Sequence, residues 1–335
     1  MPDSSASFLI IQTSFLGDMV LTTPLVAYLA ELGPVDVLCT PAASALLTNH
    51  PSVREVIVYD KRGADRGVIG FLRTASALKK RSYTAAYFAQ GSVRSGALGA
   101  AAGIRDRVGF STSAGRAFYT THVAPRPGAH HAERLLSLGT RGSTPTTSLR
   151  PRLFPGTDER AQVDAVLGDA TRGGPLIALS PGSVWATKRW PYFAQLAAEL
   201  SASGRIVVVG SEADRPLAAD IVAATNCLAI DATGRLSLLA SAELIGRSAL
   251  LVSNDSAPTH LASAMNTPTI AVFGPTVPEF GFGPLADRSR VVGHPGLTCR
   301  PCDQHGPERC PLGHWRCMRE ITPDTVASLA RALLS

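Results

Sequence analysis

The sequence predicts an α/β protein built as two similar halves, each a parallel sheet with helices on its faces. Three observations predict it. Short apolar runs alternate with helical patterns through residues 8–103, the alternation stops across a proline- and threonine-rich stretch at 142–160, and it resumes from residue 176. Strand followed by helix, repeated, means parallel strands joined by crossover helices. The 335 residues exceed what one hydrophobic core usually organises, so two domains are expected, 1–155 and 156–335, each of about 150 residues.

The first half supplies FLIIQ (8–12) before a helix near 19–31, VDVLC (35–39) before one near 42–49, EVIVY (55–59) before one near 69–81, and AAYFA (85–89) before one near 93–103. GSTPTTSLRPRLFPGTDER (142–160) has no clear period and reads as a connection. In the second half LIALS (176–180), RIVVVG (205–210), ALLVSN (249–254) and TIAVFG (269–274) are the strand candidates. One helix between them is well marked, with Pro191 suited to its first turn and Phe193, Leu196, Ala197 and Leu200 at helical spacing. Ligands of open α/β sheets bind beyond the carboxyl ends of the strands, so two such doubly wound, Rossmann-like sheets facing each other predict a central cleft with the function in it.

With 45% hydrophobic and 17% charged residues the chain has ample material for two cores. Its formal charge of +6 favours anionic partners. Aromatics are only 6% and no long Lys/Arg block occurs, which disfavours a nucleic-acid partner and leaves small anionic ligands as the better fit. MPDSSAS carries no basic residue before a short apolar run, and no stretch reaches bilayer length, so a cytoplasmic protein without a cleaved signal is expected, with peripheral membrane contact left open.

Four short segments could carry chemistry. In SFLGDMVLTTPLVAYL (14–29), Asp18 follows Gly17 directly before a helix; it is either a partner of the helix dipole or a proton acceptor. Gly17 would let a substrate approach the backbone, while Thr22 and Thr23 read chiefly as packing. In LVSNDSAPTHLASAMNTPTIAVFG (251–274), Ser256 can cap a helix and Pro258 fits its first turn, which makes the region around Asp255, Ser256 and Ala257 a phosphate-site candidate; His260, one turn in, is a ligand contact or a core residue. In SPGSVWATKRWPYFAQLAAEL (180–200), Ser183 follows a strand and Lys188 precedes a helix, where an ammonium can neutralise charge on a departing phosphate or remain solvated. In VVVGSEADR, Glu212 lies beyond a strand end, placed to accept hydrogen bonds from ribose hydroxyls or simply to face water. No Gly-x-Gly-x-x-Gly follows the first strand and no Walker-type loop occurs, so dinucleotide redox chemistry and ATP hydrolysis lose ground.

GDMVLTTP, SPGSVWATKRWP, VVVGSEADR and SNDSAPTHLASAMNTPTIAVFGPT occur in this order, and together the chain resembles the ADP-heptose:lipopolysaccharide heptosyltransferases of glycosyltransferase family nine, over nearly its whole length. KRWP and NDS…H followed by GPT are most similar to the heptosyltransferase II branch. The resemblance implies a GT-B fold, an N-terminal acceptor domain, a C-terminal ADP-sugar domain and inversion at the transferred anomeric carbon. It implies Asp18 as catalytic base, Lys188 as the diphosphate-side lysine, Glu212 as ribose contact, and Asp255, Ser256, Ala257 and His260 as the loop and helix start that hold the sugar diphosphate. The family often has glycine where this chain has Ala257, so close backbone approach to phosphate is less assured there. ADP-heptose is then the donor substrate, a heptosyl-Kdo-lipid A glycolipid the acceptor, and no cofactor is expected; no Asp-x-Asp pair occurs to hold a divalent ion, which points to metal-independent transfer. A monomer is expected.

Acceptor recognition is less sharply written. Lys61, Arg62, Arg66 and Arg73 follow the third strand and Arg94 the fourth, with Arg94 the preferred contact for an anionic acceptor. Cys299, Cys302, Cys310 and Cys317 form a C-x2-C-x7-C-x6-C array; reduced structural thiols are the leading reading and a structural zinc site the lesser one. The rival functions are heptosyltransferase I or another family-nine sugar transfer, a sugar-nucleotide epimerase, and a non-catalytic sugar-nucleotide-binding protein.

Overall fold

The computed structural model describes residues 6–143, 148–168 and 174–335. The chain divides into two compact units, Met1–Phe154 and Pro155–Ser335. The connection expected at 142–160 lies partly outside the described residues, at 144–147, as do the first five residues of MPDSSAS.

Unit 1 runs β1 (Phe8–Gln12), α1 (Leu16–Ala30), β2 (Val35–Cys39), α2 (Pro41–Ser44), β3 (Glu55–Val58), α3 (Gly67–Lys79), β4 (Ala85–Phe88), α4 (Val93–Ala101), β5 (Asp106–Phe110), β6 (Thr121–Val123) and α5 (His131–Gly139). Its six strands lie in the order β3-β2-β1-β4-β5-β6 and every pairing is parallel. Unit 2 runs α6 (Thr157–Leu167), β7 (Leu176–Ser180), α7 (Phe193–Leu200), β8 (Arg205–Val208), α8 (Arg215–Ala224), β9 (Ile230–Asp231), α9 (Leu238–Arg247), β10 (Leu250–Asn254), α10 (Ala257–Met265), β11 (Thr269–Phe273), β12 (Ser289–Gly293), α11 (Arg316–Arg319) and α12 (Pro323–Leu334). Its sheet, β12-β11-β10-β7-β8-β9, is again wholly parallel and, read from the other end, repeats the strand order of unit 1. The strand order reverses between β1 and β4 in one unit and between β7 and β10 in the other.

The core strands form because their sequences are uninterrupted apolar runs, which a sheet covered on both faces requires. β1, β2, β4, β10 and β11 are buried at every position. Each fully buried Leu, Ile or Val contributes about 1.5–3 kcal/mol. Tyr119 stacks on Phe88 at 4.7 Å between ring centroids, and Gly109 leaves room for the Tyr119 ring, which a Cβ there would strike at 2.1 Å. Among the described residues no helix is long and apolar enough to cross a membrane.

Three local expectations need correction. The first helix begins at Leu16, not near residue 19, because Phe15 takes an extended backbone at the N-cap; Asp18 therefore sits inside the first turn. Pro191 precedes α7 in a turn, with Tyr192 at the N-cap and Phe193 the first helical residue, although the predicted face Phe193, Leu196, Ala197 and Leu200 is buried. Ser256 occupies the N-cap of α10 but its hydroxyl makes no cap bond, pointing instead to the Asn254 carbonyl at 3.3 Å.

One buried charge ties unit 1 together away from the loops that follow its strands. Asp36 on β2 accepts from Arg54 Nε and Nη2 at 2.8 and 2.7 Å and from the Tyr83 hydroxyl at 2.5 Å. Burial alone would raise this carboxyl, but the Arg54 and Tyr83 hydrogen bonds and the Arg54 and Arg81 charges outweigh it and hold it below its ordinary value. His50 is the opposite case: burial against Phe154 pushes it down to about 4. A folded state that refuses a proton which the unfolded chain accepts near its ordinary value of 6.5 loses stability as pH falls through that interval. Denaturant melts should therefore show stability declining from about pH 6.5 down to about 4, with His50→Gln flattening part of that slope; an unchanged slope contradicts the assignment.

Candidate functional site

In unit 1 the turn after β1 is built from its own polar groups. Gln12, buried at the end of the strand, accepts from the Ser14 backbone N–H at 3.3 Å and lies 2.7 Å from the Ser14 hydroxyl, while its Nε2 donates to Thr22 Oγ1 at 3.2 Å. Ser14 Oγ also stands 2.6 Å from Asp18 Oδ2. A hydroxyl has one proton, and the charged carboxylate is the stronger acceptor. Thr22 Oγ1 donates to the Asp18 carbonyl at 2.6 Å; Thr22 and Thr23 are both buried, so they serve the turn and the packing of α1. Gly17 is an ordinary half-buried helical residue beside Asp18.

Sequence reading missed His131. The first residue of α5, it brings Nε2 to 3.7 Å from Asp18 Oδ1. Burial, with the nearby charges of Arg134 and His130 adding to it, pushes His131 down to about 3, so the imidazole beside the carboxylate is neutral. The HH pair at 130–131 was visible, but nothing local ties it to a turn more than a hundred residues earlier.

The loops after β3 and β4 join the β1 turn. Lys61 Nζ donates to the Thr13 carbonyl at 2.8 Å, and Gln90 Oε1 accepts from Thr13 and Ser95 hydroxyls at 3.3 and 2.7 Å. Arg94 has structural work: Nε donates to the Tyr59 hydroxyl at 2.6 Å, Nη2 donates to the Asp65 and Gly67 carbonyls at 3.0 and 3.4 Å, and its guanidinium lies over the Tyr59 and Phe71 rings. It braces the 60–67 loop. Arg73 is occupied likewise, donating to Asp65 Oδ1 at 2.7 Å, while Arg62 and Arg66 are exposed.

In unit 2 the structure brings Lys188 and Asp255 together. Lys188 Nζ donates to Asp255 Oδ2 at 2.6 Å, with both side chains nearly buried, and Thr276 Oγ1 donates to the same oxygen at 2.7 Å. The two charged residues come from the segments after β7 and β10, the strands that flank the reversal of strand order. Asn254 stitches those segments: Nδ2 donates to the Pro181 carbonyl at 2.8 Å and Oδ1 accepts from the Trp190 N–H at 3.0 Å. Asn254 and Thr276 stand inside the NDS and GPT motifs, but sequence reading assigned them no role, because their value lies in contacts across the sheet.

The remaining predicted residues scatter around this pair. Ser183 is half-buried and its carbonyl accepts from Arg189 Nε at 2.9 Å. Ala257 opens α10, where Pro258 falls in the first turn as expected. His260 is buried in α10 with its ring 6.2 Å from Phe282. Glu212, beyond β8, is mostly exposed, 3.1 Å from Arg215 Nη2, and lies against Gly234, where an added Cβ would stand 2.3 Å from Glu212 Oε2.

The four clustered cysteines carry free thiols. Cys299 Sγ lies 3.9 Å from His314 Nε2 and Cys302 Sγ donates to the Cys299 carbonyl at 3.3 Å. Burial pushes Cys317 up to about 11; burial would also raise Cys310, but backbone N–H groups of Trp315, Leu312, His314 and Gly313 outweigh it and pull that thiol below its ordinary value. Among the described residues no three His, Cys, Asp or Glu side chains are arranged to hold a metal ion.

A family model described as glycosyltransferase family 9 (heptosyltransferase) matches residues 71–314, well over half of the chain. The chain is 28% identical over 312 residues to a lipopolysaccharide heptosyltransferase 1 of Pseudomonas aeruginosa, spanning 88% of this chain and 85% of that protein. A match to a lipooligosaccharide heptosyltransferase 2 of Campylobacter jejuni is 31% identical over 170 residues and spans about half of each, 48% of this chain and 52% of that protein. Among solved structures, the Escherichia coli ADP-heptose LPS heptosyltransferase II superposes with a TM-score of 0.81 at 25% identity, covering 98% of both chains. The architecture of two six-stranded parallel sheets with covering helices is shared with it.

Removing one member of a buried ion pair strands the other charge, whereas removing both does not. Lys188→Met and Asp255→Asn should each destabilise the protein by about 3 kcal/mol. The double variant should fall short of the sum by about 2 kcal/mol. Chemical denaturation of the four proteins checks this, and additive losses would show that the two side chains are not coupled.

Proposed function

The chain belongs to glycosyltransferase family 9, and from that premise we propose that it moves a heptose from ADP-heptose to an inner-core lipopolysaccharide glycolipid by direct, inverting displacement. Unit 1 carries the base and the acceptor contacts; unit 2 carries the nucleotide contacts. The observation that carries the reading is that the polar residues following β1 and those following β7 and β10 lie beside the reversals of strand order, where α/β sheets bind ligands.

The acceptor hydroxyl must lose its proton as it attacks the anomeric carbon, and Asp18 is the acceptor of that proton. Ser14 on one oxygen and neutral His131 near the other hold the carboxylate in a fixed orientation without placing a full positive charge beside it. On the donor side, Lys188 has three N–H donors and gives one to Asp255, so two can be directed at the diphosphate while Asp255 and Thr276 fix the ammonium. The N-terminus of α10, starting at Ala257 and not capped by the Ser256 hydroxyl, adds backbone donors for the developing charge on ADP. This assignment needs no divalent ion. Glu212, exposed beyond β8, contacts the ribose.

The favoured step is addition of the second heptose to a heptosyl-Kdo-lipid A. The near-full-length likeness to a type 1 enzyme keeps the first heptose as the alternative acceptor chemistry. Mass spectrometry of glycolipid after incubation with ADP-heptose decides between them: a heptose gained only on the already heptosylated acceptor supports the favoured step, and a heptose gained on bare Kdo-lipid A assigns the first. Asp18→Asn should lower kcat by about 10²- to 10⁴-fold with little change in KM for ADP-heptose. Parent-like turnover by that variant would remove Asp18 from the mechanism.

A further inference from the structure

Helix α3 exposes its apolar residues. Val68, Ile69 and Leu72 are 71%, 82% and 57% exposed, and their spacing sets them on one face. Gly70, Thr74, Ala75 and Leu78 are buried, with Gly70 and Thr74 on the side opposite the exposed residues. Single exposed apolar side chains need no explanation, but three adjoining on one helical face are unusual for a surface bathed only by water.

The surroundings of this patch are basic. Residues 60–80 hold six Lys and Arg against two Asp. Both aspartates are already used within the loop: Asp60 accepts from the backbone of Arg62, Gly63 and Ala64, and Asp65 accepts from Arg73 and the Asp60 N–H. Arg62, Arg66, Lys79 and Lys80 are exposed around the apolar face. The patch is also firmly presented. Arg94 holds the Asp65 and Gly67 carbonyls, and Gly70 lets the helix close on the loop, since a Cβ there would meet the Asp65 backbone at 2.4 Å.

We propose that the N-terminal half of α3, with Val68, Ile69 and Leu72 inserted among lipid headgroups and the flanking Arg and Lys against them, docks unit 1 on an anionic bilayer. An apolar face ringed by Lys and Arg is the pattern that binds at the interface of negatively charged lipid, where buried apolar area and charge attraction add. A second copy of this chain would bring the same basic cluster against its own kind, which disfavours self-association through this face. The loop and helix follow β3, on the carboxyl edge of the sheet that also carries Asp18, so the docked edge is the one from which a glycolipid headgroup would reach the base. The inference rests on the reading of the acceptor as a membrane glycolipid.

Cosedimentation with vesicles tests it without donor, acceptor or turnover. The parent should bind vesicles of phosphatidylethanolamine with phosphatidylglycerol, bind phosphatidylcholine vesicles far less, and be released by raised ionic strength. The triple variant V68S/I69S/L72S should bind the anionic vesicles about tenfold more weakly, while Leu228→Ser, at an exposed apolar residue of unit 2, binds like the parent. Thermal melting shows that the triple variant is folded, and it should still turn over a deacylated, water-soluble acceptor. Parent-like vesicle binding by a folded triple variant overturns the proposal, as does equal binding to phosphatidylcholine or a parent dimer that the triple variant dissociates. Vesicle binding through α3 by a chain that transfers no heptose would sink the catalytic reading alone, and turnover without vesicle binding would sink this one alone.

Discussion

A sheet whose strands all run the same way offers their carboxyl ends on a single edge, and the candidate site residues of both units are arranged by that constraint. In both units the strand order reverses between two neighbouring central strands, β1 and β4 or β7 and β10, so the loops leaving them turn to opposite faces and open a gap at the edge. Asp18 follows β1, Arg94 follows β4, Lys188 follows β7 and Asp255 follows β10. Residues remote in sequence are thereby made neighbours within each unit.

The polar groups at these edges are held by one another. Ser14, itself held by Gln12, and His131 flank Asp18; Asp255, held by Thr276, fixes Lys188, while Asn254 ties the segments that carry them. A buried ammonium paired with a carboxylate is a poor source of net stability, because desolvation consumes most of the attraction. Under the proposed assignment its value is orientation: an ammonium already aimed loses less freedom when a diphosphate arrives. Arg94 shows the same economy of position, bracing the loop that carries the apolar end of α3.

The fold class was legible because the central strands are unbroken apolar runs, as in FLIIQ and TIAVF, and the spacing between them suits one helix. The strands that went unread lie at or near the sheet edges. β5, DRVGF, begins with two charges, and β12, SRVVG, is half exposed, so neither shows a core signature. Asp18, Lys188 and Asp255 could be picked out because each stands beside a helix start or strand end where a charge needs a reason. Their partners could not. His131, Asn254 and Thr276 matter through contacts across the sheet, and the turn of the Ser256 hydroxyl away from its helix is set by the Asn254 carbonyl.

Hydrogen–deuterium exchange of the whole chain with and without ADP tests the central assignment most directly, since it reads where the nucleotide binds without presuming turnover. The account predicts protection at 182–190, 210–215 and 254–260, the segments after β7, β8 and β10, with the turn at 12–18 unchanged until acceptor is added. Protection confined to the loops of unit 1, with those three segments exchanging as in the free protein, would contradict it.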